Sequence, residues 1–258
     1  GKRAGLKAGD QIVEIDSAPT GKMTVTEATS KIRGEVGTDI TLGIGRKGES
    51  SLLRIKVVRE IIRVPTIETK LLPENIFLIR LFNFSATAPE VFRDALRDFI
   101  ISDTDKMIID LRGNPGGYLD AAVDMASWFL PVGESVVIED RGEKTERQIY
   151  RSRGYNIFSN KLKLVILVDG GSASASEILA GALSEHGRAK LIGEQTFGKG
   201  SVQELVPITS ESSLKITVAQ WLTPNGVSIS HNGLTPDIAV KLDSSKKPKI
   251  GEDPILDR

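Results

Sequence analysis

Ser174 and Lys199 are the residues whose types and surroundings could do covalent chemistry. Ser174 lies in Gly170-Gly-Ser-Ala-Ser-Ala-Ser-Glu177, Lys199 in Thr196-Phe-Gly-Lys-Gly200, and Gln203 stands four positions further on. A serine hydroxyl becomes a nucleophile when a partner takes its proton, and a lysine kept dry and neutral can be that partner. The chain has no cysteine and two histidines, so a thiol nucleophile and thiolate metal sites are excluded. A neutral lysine is costly. Moving its pKa from ~10.4 to about 7 requires roughly 4.6 kcal/mol at ~1.36 kcal/mol per unit. Burial and the positive end of a helix both push in that direction. Gln203 could orient the amine. A lone Gly-Lys-Gly is ordinarily a solvated turn, and a serine before a helix is ordinarily a cap. Here the two patterns occur together.

The run Leu164-Val-Ile-Leu-Val168 reads as a strand entering the turn Asp169-Gly-Gly171, with a helix from Ser174 to Glu185. That places Ser174 where backbone N–H groups lack internal partners and the helix dipole favours negative charge. The N–H of Ala175 is therefore a candidate oxyanion donor. Any one of Ser172, Ser174 and Ser176 could be the cap. Another strand runs into a second glycine turn, Ile108-Ile-Asp-Leu-Arg-Gly-Asn-Pro-Gly-Gly117. Gly116 or Gly117 could supply a second oxyanion N–H. Asp110 and Arg112 read equally well as an ion pair bracing the loop and as surface charges. His186 is about 18 Å along the helix axis from Ser174, and His231 lies in a loop, so a Ser-His-Asp scheme is the weaker one.

Around these motifs, strands and helices alternate. Strands are expected at Ile76–Leu81, Lys106–Leu111, Leu162–Val168, Lys190–Ile192, Gln203–Pro207 and Leu214–Trp221. Helices are expected at Pro89–Ile101 and Leu119–Leu130. This is the signature of an α/β layered core. Residues 1–60 read as a small β-rich unit, with a strand at Gln11–Ile15, a helix capped by Thr24, and a hairpin turning at Lys47-Gly-Glu49. Residues 61–75 read as a connection, Asp140 to Asn160 as a loop or flap, and the charged stretch after Leu242 as a poorly ordered tail.

Lys+Arg and Asp+Glu balance at 34 each, so net charge points to neither nucleic acid nor an acidic surface as partner. No apolar run reaches the roughly 18–20 residues of a membrane helix, and no signal peptide is visible.

Four segments carry a resemblance to the C-terminal processing peptidases, or tail-specific proteases, a family of serine proteases with a Ser-Lys pair. They are Ala4-Gly-Leu-Lys-Ala-Gly-Asp10, Asp110-Leu-Arg-Gly-Asn-Pro-Gly-Gly117, Ser172-Ala-Ser-Ala-Ser-Glu177 and Phe197-Gly-Lys-Gly200. Leu222-Thr-Pro-Asn-Gly226 and Gly233-Leu-Thr-Pro-Asp237 add to it. The resemblance implies an α/β layered protease core of crotonase/ClpP-like type over residues 61–242. A PDZ domain lacking its beginning would occupy residues 1–60, and a polar tail residues 243–258. Ser174 would be the nucleophile, Lys199 the general base and Gln203 the residue that positions it. Ala175 with Gly116 or Gly117 would form the oxyanion hole. Asp169 departs from the asparagine that family members often carry.

The implied substrates are proteins cut near exposed, apolar C-terminal tails by an acyl-enzyme route, with recognition gated by the PDZ unit. No metal, organic cofactor or nucleic acid is implied. A homo-oligomer or an adaptor protein is the further partner the resemblance allows. The implied location is extracytoplasmic, in the bacterial periplasm or cell envelope, with membrane association through a segment outside this chain. The alternative is a catalytically silent, PDZ-containing binding or scaffold relative. A retinoid-binding relative of the core is disfavoured, because a carrier needs neither Ser174 nor Lys199.

Overall fold

The computed structural model describes residues 1–7, 9–49, 51–61, 65–142, 145–209 and 212–240. The chain divides into two compact units after residue 64. The expected tail, residues 243–258, lies outside the described residues.

The first unit holds β1 (Gln11–Ile15), β2 (Ala18–Pro19), α1 (Val25–Ile32), β3 (Asp39–Gly45) and β4 (Leu53–Val58). Its strands form one antiparallel sheet in the order β2-β1-β3-β4. Alternation along β3 turns Ile40, Leu42 and Ile44 into the core with Ile15, and Met23, Ile32 and Ile55 close over them. Thr24 starts α1 as expected: its hydroxyl accepts the Glu27 N–H at 3.2 Å, and the Glu27 carboxylate accepts the Thr24 N–H at 2.7 Å.

Asp10 locks the first loop of this unit. Its carboxylate takes two bonds from Arg46, each 2.7 Å, and the N–H of Lys7 at 2.8 Å. The Arg46 guanidinium, more than the Lys7 amide, lowers the Asp10 pKa from 3.8 to about 2. A depressed carboxyl stabilises the fold above its ordinary pKa, and that contribution is lost as pH falls toward the folded value. The expected result is that this unit weakens between about pH 4 and pH 2, with the Asp10 carboxyl titrating near 2 by NMR. Asp10→Asn should remove that part of the acid sensitivity; an Asp10 midpoint near 4 would contradict it.

The second unit contains β5 (Ile67–Leu72), β6 (Ile76–Leu81), α2 (Ala88–Ile101), β7 (Lys106–Asp110), α3 (Leu119–Ser127), β8 (Ser135–Asp140), β9 (Gln148–Arg151), β10 (Lys163–Val168), α4 (Ala175–Glu185), β11 (Lys190–Gly193), β12 (Ser201–Pro207), β13 (Ser213–Leu222) and β14 (Ile238–Ala239). One six-stranded sheet runs β14-β11-β10-β7-β6-β5, parallel except for β5. A second, antiparallel sheet runs β12-β13-β8-β9. Helix α4 packs on α3, β8 and β11. Its residues are buried all round from Ala175 to Leu183, which suits its Ala- and Gly-rich sequence. Phe84, Phe92 and Phe129 are fully buried at the centre.

Two segments differ from the sequence expectation. The connection at residues 61–75 contains β5, paired antiparallel with β6, and the loop at Asp140–Asn160 contains β9, paired with β8. Both are polar edge strands, so pairing rather than local hydrophobic alternation defines them. Helix α3 also stops at Ser127, capped by Trp128, before the expected Leu130.

Candidate active site

Strand β10 pairs in parallel with both β7 and β11, so the carboxyl ends of these three strands open side by side on one rim. Ligand sites of open parallel sheets form there. The chain leaves β7 into the turn ending Gly116-Gly117, leaves β10 into the turn before Ser174, and leaves β11 toward Lys199.

Asp169 and Asn114 stitch the first two turns together. Asp169 Oδ1 accepts the N–H of Gly113 at 2.8 Å and of Gly171 at 2.9 Å. An asparagine Oδ1 could accept the same bonds, so the departure at this position keeps the turn. Asn114, fully buried, donates to Leu81 O at 2.8 Å, and its own carbonyl accepts Ala173 N–H at 3.0 Å. Asp110 and Arg112 resolve as an ion pair: the guanidinium grips a carboxylate that is 1% exposed at 2.7 and 2.8 Å.

The three serines separate. Ser172 and Ser176 are fully buried, and their hydroxyls donate to Leu111 O at 2.8 Å and Asn114 O at 3.0 Å. Ser174 is half-buried at the N-terminus of α4, with φ 57° and ψ −116°. A non-glycine residue held in that region costs of order 1–3 kcal/mol, and such strain clusters at functional sites.

The structure adds a residue to which the sequence reading gave no role. Glu177, fully buried one turn into α4, accepts Ser174 N–H at 2.8 Å, Thr196 O–H at 2.6 Å, Gly198 N–H at 2.7 Å and Lys199 N–H at 3.0 Å. Thr196 Oγ1 itself accepts Leu234 N–H at 2.7 Å, so its proton goes to Glu177. These four partners are all donors, which matches the acceptor oxygens of a carboxylate. Ser174 and Lys199 share the same oxygen, Oε2, so one side chain holds the backbones of both. The spacing of Glu177 three residues after Ser174 could have suggested a capping box, but not the link to Lys199.

Glu177→Gln keeps the shape and turns an amide NH2 toward N–H donors. A stability loss of about 2–4 kcal/mol and a fall in kcat of about 10²-fold are expected, read by thermal melts and peptide kinetics. Unchanged values for both would show the clamp to be dispensable.

Lys199 and Gln203 are placed differently from the expectation. Both are exposed, and among the described residues no hydrogen bond joins either side chain to Ser174. The dry amine that the chemistry calls for is therefore not met in this arrangement. Burial depends on what covers the Lys199 loop, which its own sequence does not encode. The loop backbone is nonetheless firmly held. His231 N–H donates to Gly198 O at 3.0 Å and Trp221 N–H to Gly200 O at 2.6 Å. The four-carbon stem of lysine leaves its amine free to swing.

The glycine turn packs directly on the serine. A Cβ on Gly116, at φ 95°, would fall 2.8 Å from Ser174 Cβ and 2.9 Å from Ala175 N. Gly116 N–H is committed to Asn114 Oδ1 at 2.9 Å. Gly117, whose Cβ would strike Phe84 O, and Ala175 donate their N–H groups to no group among the described residues.

His186 caps α4 with Nε2 2.7 Å from Ser135 O, remote from Ser174. A concavity of about 650 Å³, lined by Phe129, Phe158, His186 and Arg188 among others, lies at that same far end of α4. Among the described residues no cluster of His, Asp and Glu is arranged to hold a metal ion, and no helix is long and apolar enough to cross a membrane.

Two family models match: peptidase family S41 over residues 75–240 and the PDZ domain over residues 1–45. The chain belongs to peptidase family S41. It is 39% identical over 251 residues to the carboxy-terminal-processing protease of Bartonella bacilliformis, covering 96% of this chain and 57% of that protein. It is 35% identical to carboxy-terminal processing protease CtpB of Bacillus subtilis, covering 93% of this chain and 50% of that protein. The chain thus spans about half the length of these S41 relatives. Among solved structures, the photosystem II D1 C-terminal processing protease superposes with a TM-score of 0.69 at 29% identity, covering 93% of this chain and 65% of that one. The two-unit architecture, an α/β core of the S41 type with a PDZ domain at the N-terminal side, is that of the family.

Proposed function

We propose that this chain is the catalytic part of a serine endopeptidase that cuts proteins near their C-terminal tails. Ser174 attacks the scissile carbonyl, Lys199 takes its proton once its amine swings toward the hydroxyl, and Gln203 steadies that amine. Water then releases the acyl-enzyme. The observation that carries this reading is the strained Ser174 at a helix N-terminus, sharing a buried carboxylate oxygen with Lys199.

Ala175 N–H and Gly117 N–H are assigned to the oxyanion, since Gly116 N–H already has an acceptor. Gly116 is needed instead for close approach. The names of the S41 relatives support processing at carboxy termini, and the PDZ match supports capture of peptide tails. Gating by the PDZ unit, an oligomer or adaptor, and an extracytoplasmic location belong to the same proposal. The domain division proposed is a PDZ unit at residues 1–60 and a protease core at 61–242.

The exposed amine of Lys199 favours a second reading, a catalytically silent scaffold. One experiment decides between them: a protein carrying an apolar C-terminal tail is incubated with the wild-type chain and with Ser174→Ala, and the mass of the tail released is measured. Cleavage by the wild type alone supports the peptidase; no cleavage by either supports the scaffold.

A further inference from the structure

Strand β12 begins two residues after Lys199, carries Gln203, and among the described residues is paired on one side only. The phase of its free side can be read from both ends of the ribbon. At one end Trp221 N–H donates to Gly200 O, and at the other Ile208 N–H donates to Ser212 O. In an antiparallel pair, hydrogen-bonded and non-hydrogen-bonded residues alternate. The register Glu204↔Ile216, Leu205↔Lys215 and Val206↔Leu214, with one irregularity at Val202/Gln203, fits both ends. It follows that Val202, Glu204 and Val206 point their backbone groups at β13. Ser201, Gln203 and Leu205 point theirs outward, and Pro207 ends the row of donors.

One step earlier in the same phase stands Lys199, and its N–H reaches Glu177, the residue that also holds Ser174 N–H. The open edge therefore leads to the serine. Nothing blunts it between Ser201 and Leu205 except the single charge of Glu204, while Leu205, Leu214 and Ile216 are 65%, 50% and 40% exposed along the ribbon.

We propose that the polypeptide to be cut lies along the outer edge of β12 as an added strand, its main chain pairing with Ser201, Gln203 and Leu205 and its apolar side chains lying against the exposed ribbon. This rests on the peptidase reading for its purpose, but its geometry can be tested without turnover. Main-chain pairing reads extension rather than sequence, which suits the proposed cutting of extended protein tails.

The test is a binding measurement on the full chain carrying Ser174→Ala, by fluorescence polarisation. The probe is an extended peptide of about ten residues rich in Ala and Val, amidated at its C-terminus so that the PDZ unit has no carboxylate to capture. N-methylation of alternate residues in one phase is expected to weaken binding about tenfold or more, and in the other phase to leave it unchanged, because only every second N–H faces the edge. Leu205→Pro removes an outward N–H and no bond to β13, so it is expected to weaken binding to a similar degree. If that variant melts early, the methylated peptides decide alone. Equal binding of both methylated series, wild-type binding by a folded Leu205→Pro variant, or no binding of the unmethylated peptide would each overturn the edge site. Failure of the peptidase reading would show separately, as absence of cleavage by the wild-type chain.

Discussion

Replacing Ser174 by alanine is expected to lower kcat for tail cleavage by about 10⁴-fold or more, with KM nearly unchanged, because the proposed nucleophile itself is removed. The residual rate would come from the oxyanion donors and binding alone. The variant should stay folded: alanine keeps the Cβ, and Ser174 N–H still reaches Glu177 at 2.8 Å. Strain supplies a second readout. At φ 57° a glycine pays no Cβ penalty, so Ser174→Gly is expected to melt higher than Ser174→Ala, by about 1 kcal/mol or more. A glycine variant that melts above the alanine variant is what a strained backbone at this position predicts. Wild-type cleavage by Ser174→Ala would end the assignment of this serine.

Loss of Lys199 is expected to be nearly as severe. Lys199→Ala should reduce kcat by about 10²–10⁴-fold, the usual contribution of a positioned base. Lys199→Arg should be as inactive as alanine, because a guanidinium keeps the charge and reach but cannot accept a proton. This pair separates a base from a mere cation. The exposure of Lys199 adds an expectation of its own: a small primary amine in the buffer should reach the vacant position and restore part of the activity of Lys199→Ala, and none of that of Ser174→Ala. Active Lys199→Arg, measured with the same peptide, would remove the lysine from the mechanism and leave the scaffold reading in the stronger position.

The local pieces of this molecule are written in short stretches of sequence. The strand at Lys163–Val168, its glycine turn and the helix after Ser174 follow from apolar runs and small residues within some twenty positions. The capping box of Thr24 and Glu27 is a pattern three residues long. The motifs around Ser174, Lys199 and Gly113-Asn-Pro-Gly-Gly117 are legible for the same reason, since each must build a tight turn whose backbone only certain residues allow. What sequence could not determine are relations between distant segments. The edge strands β5 and β9 exist through pairing, not through their own periodicity. Asn114 chooses between Gly116 and Gly117 by taking one N–H and leaving the other. Glu177 joins a helix to a loop nineteen to twenty-two residues downstream through bonds that no local pattern announces. Whether Lys199 is wet or dry is set by what packs over it, a property of solvent exclusion in three dimensions. Residue type and spacing determine which groups can react; the fold decides which of them share an acceptor, and so which can act together.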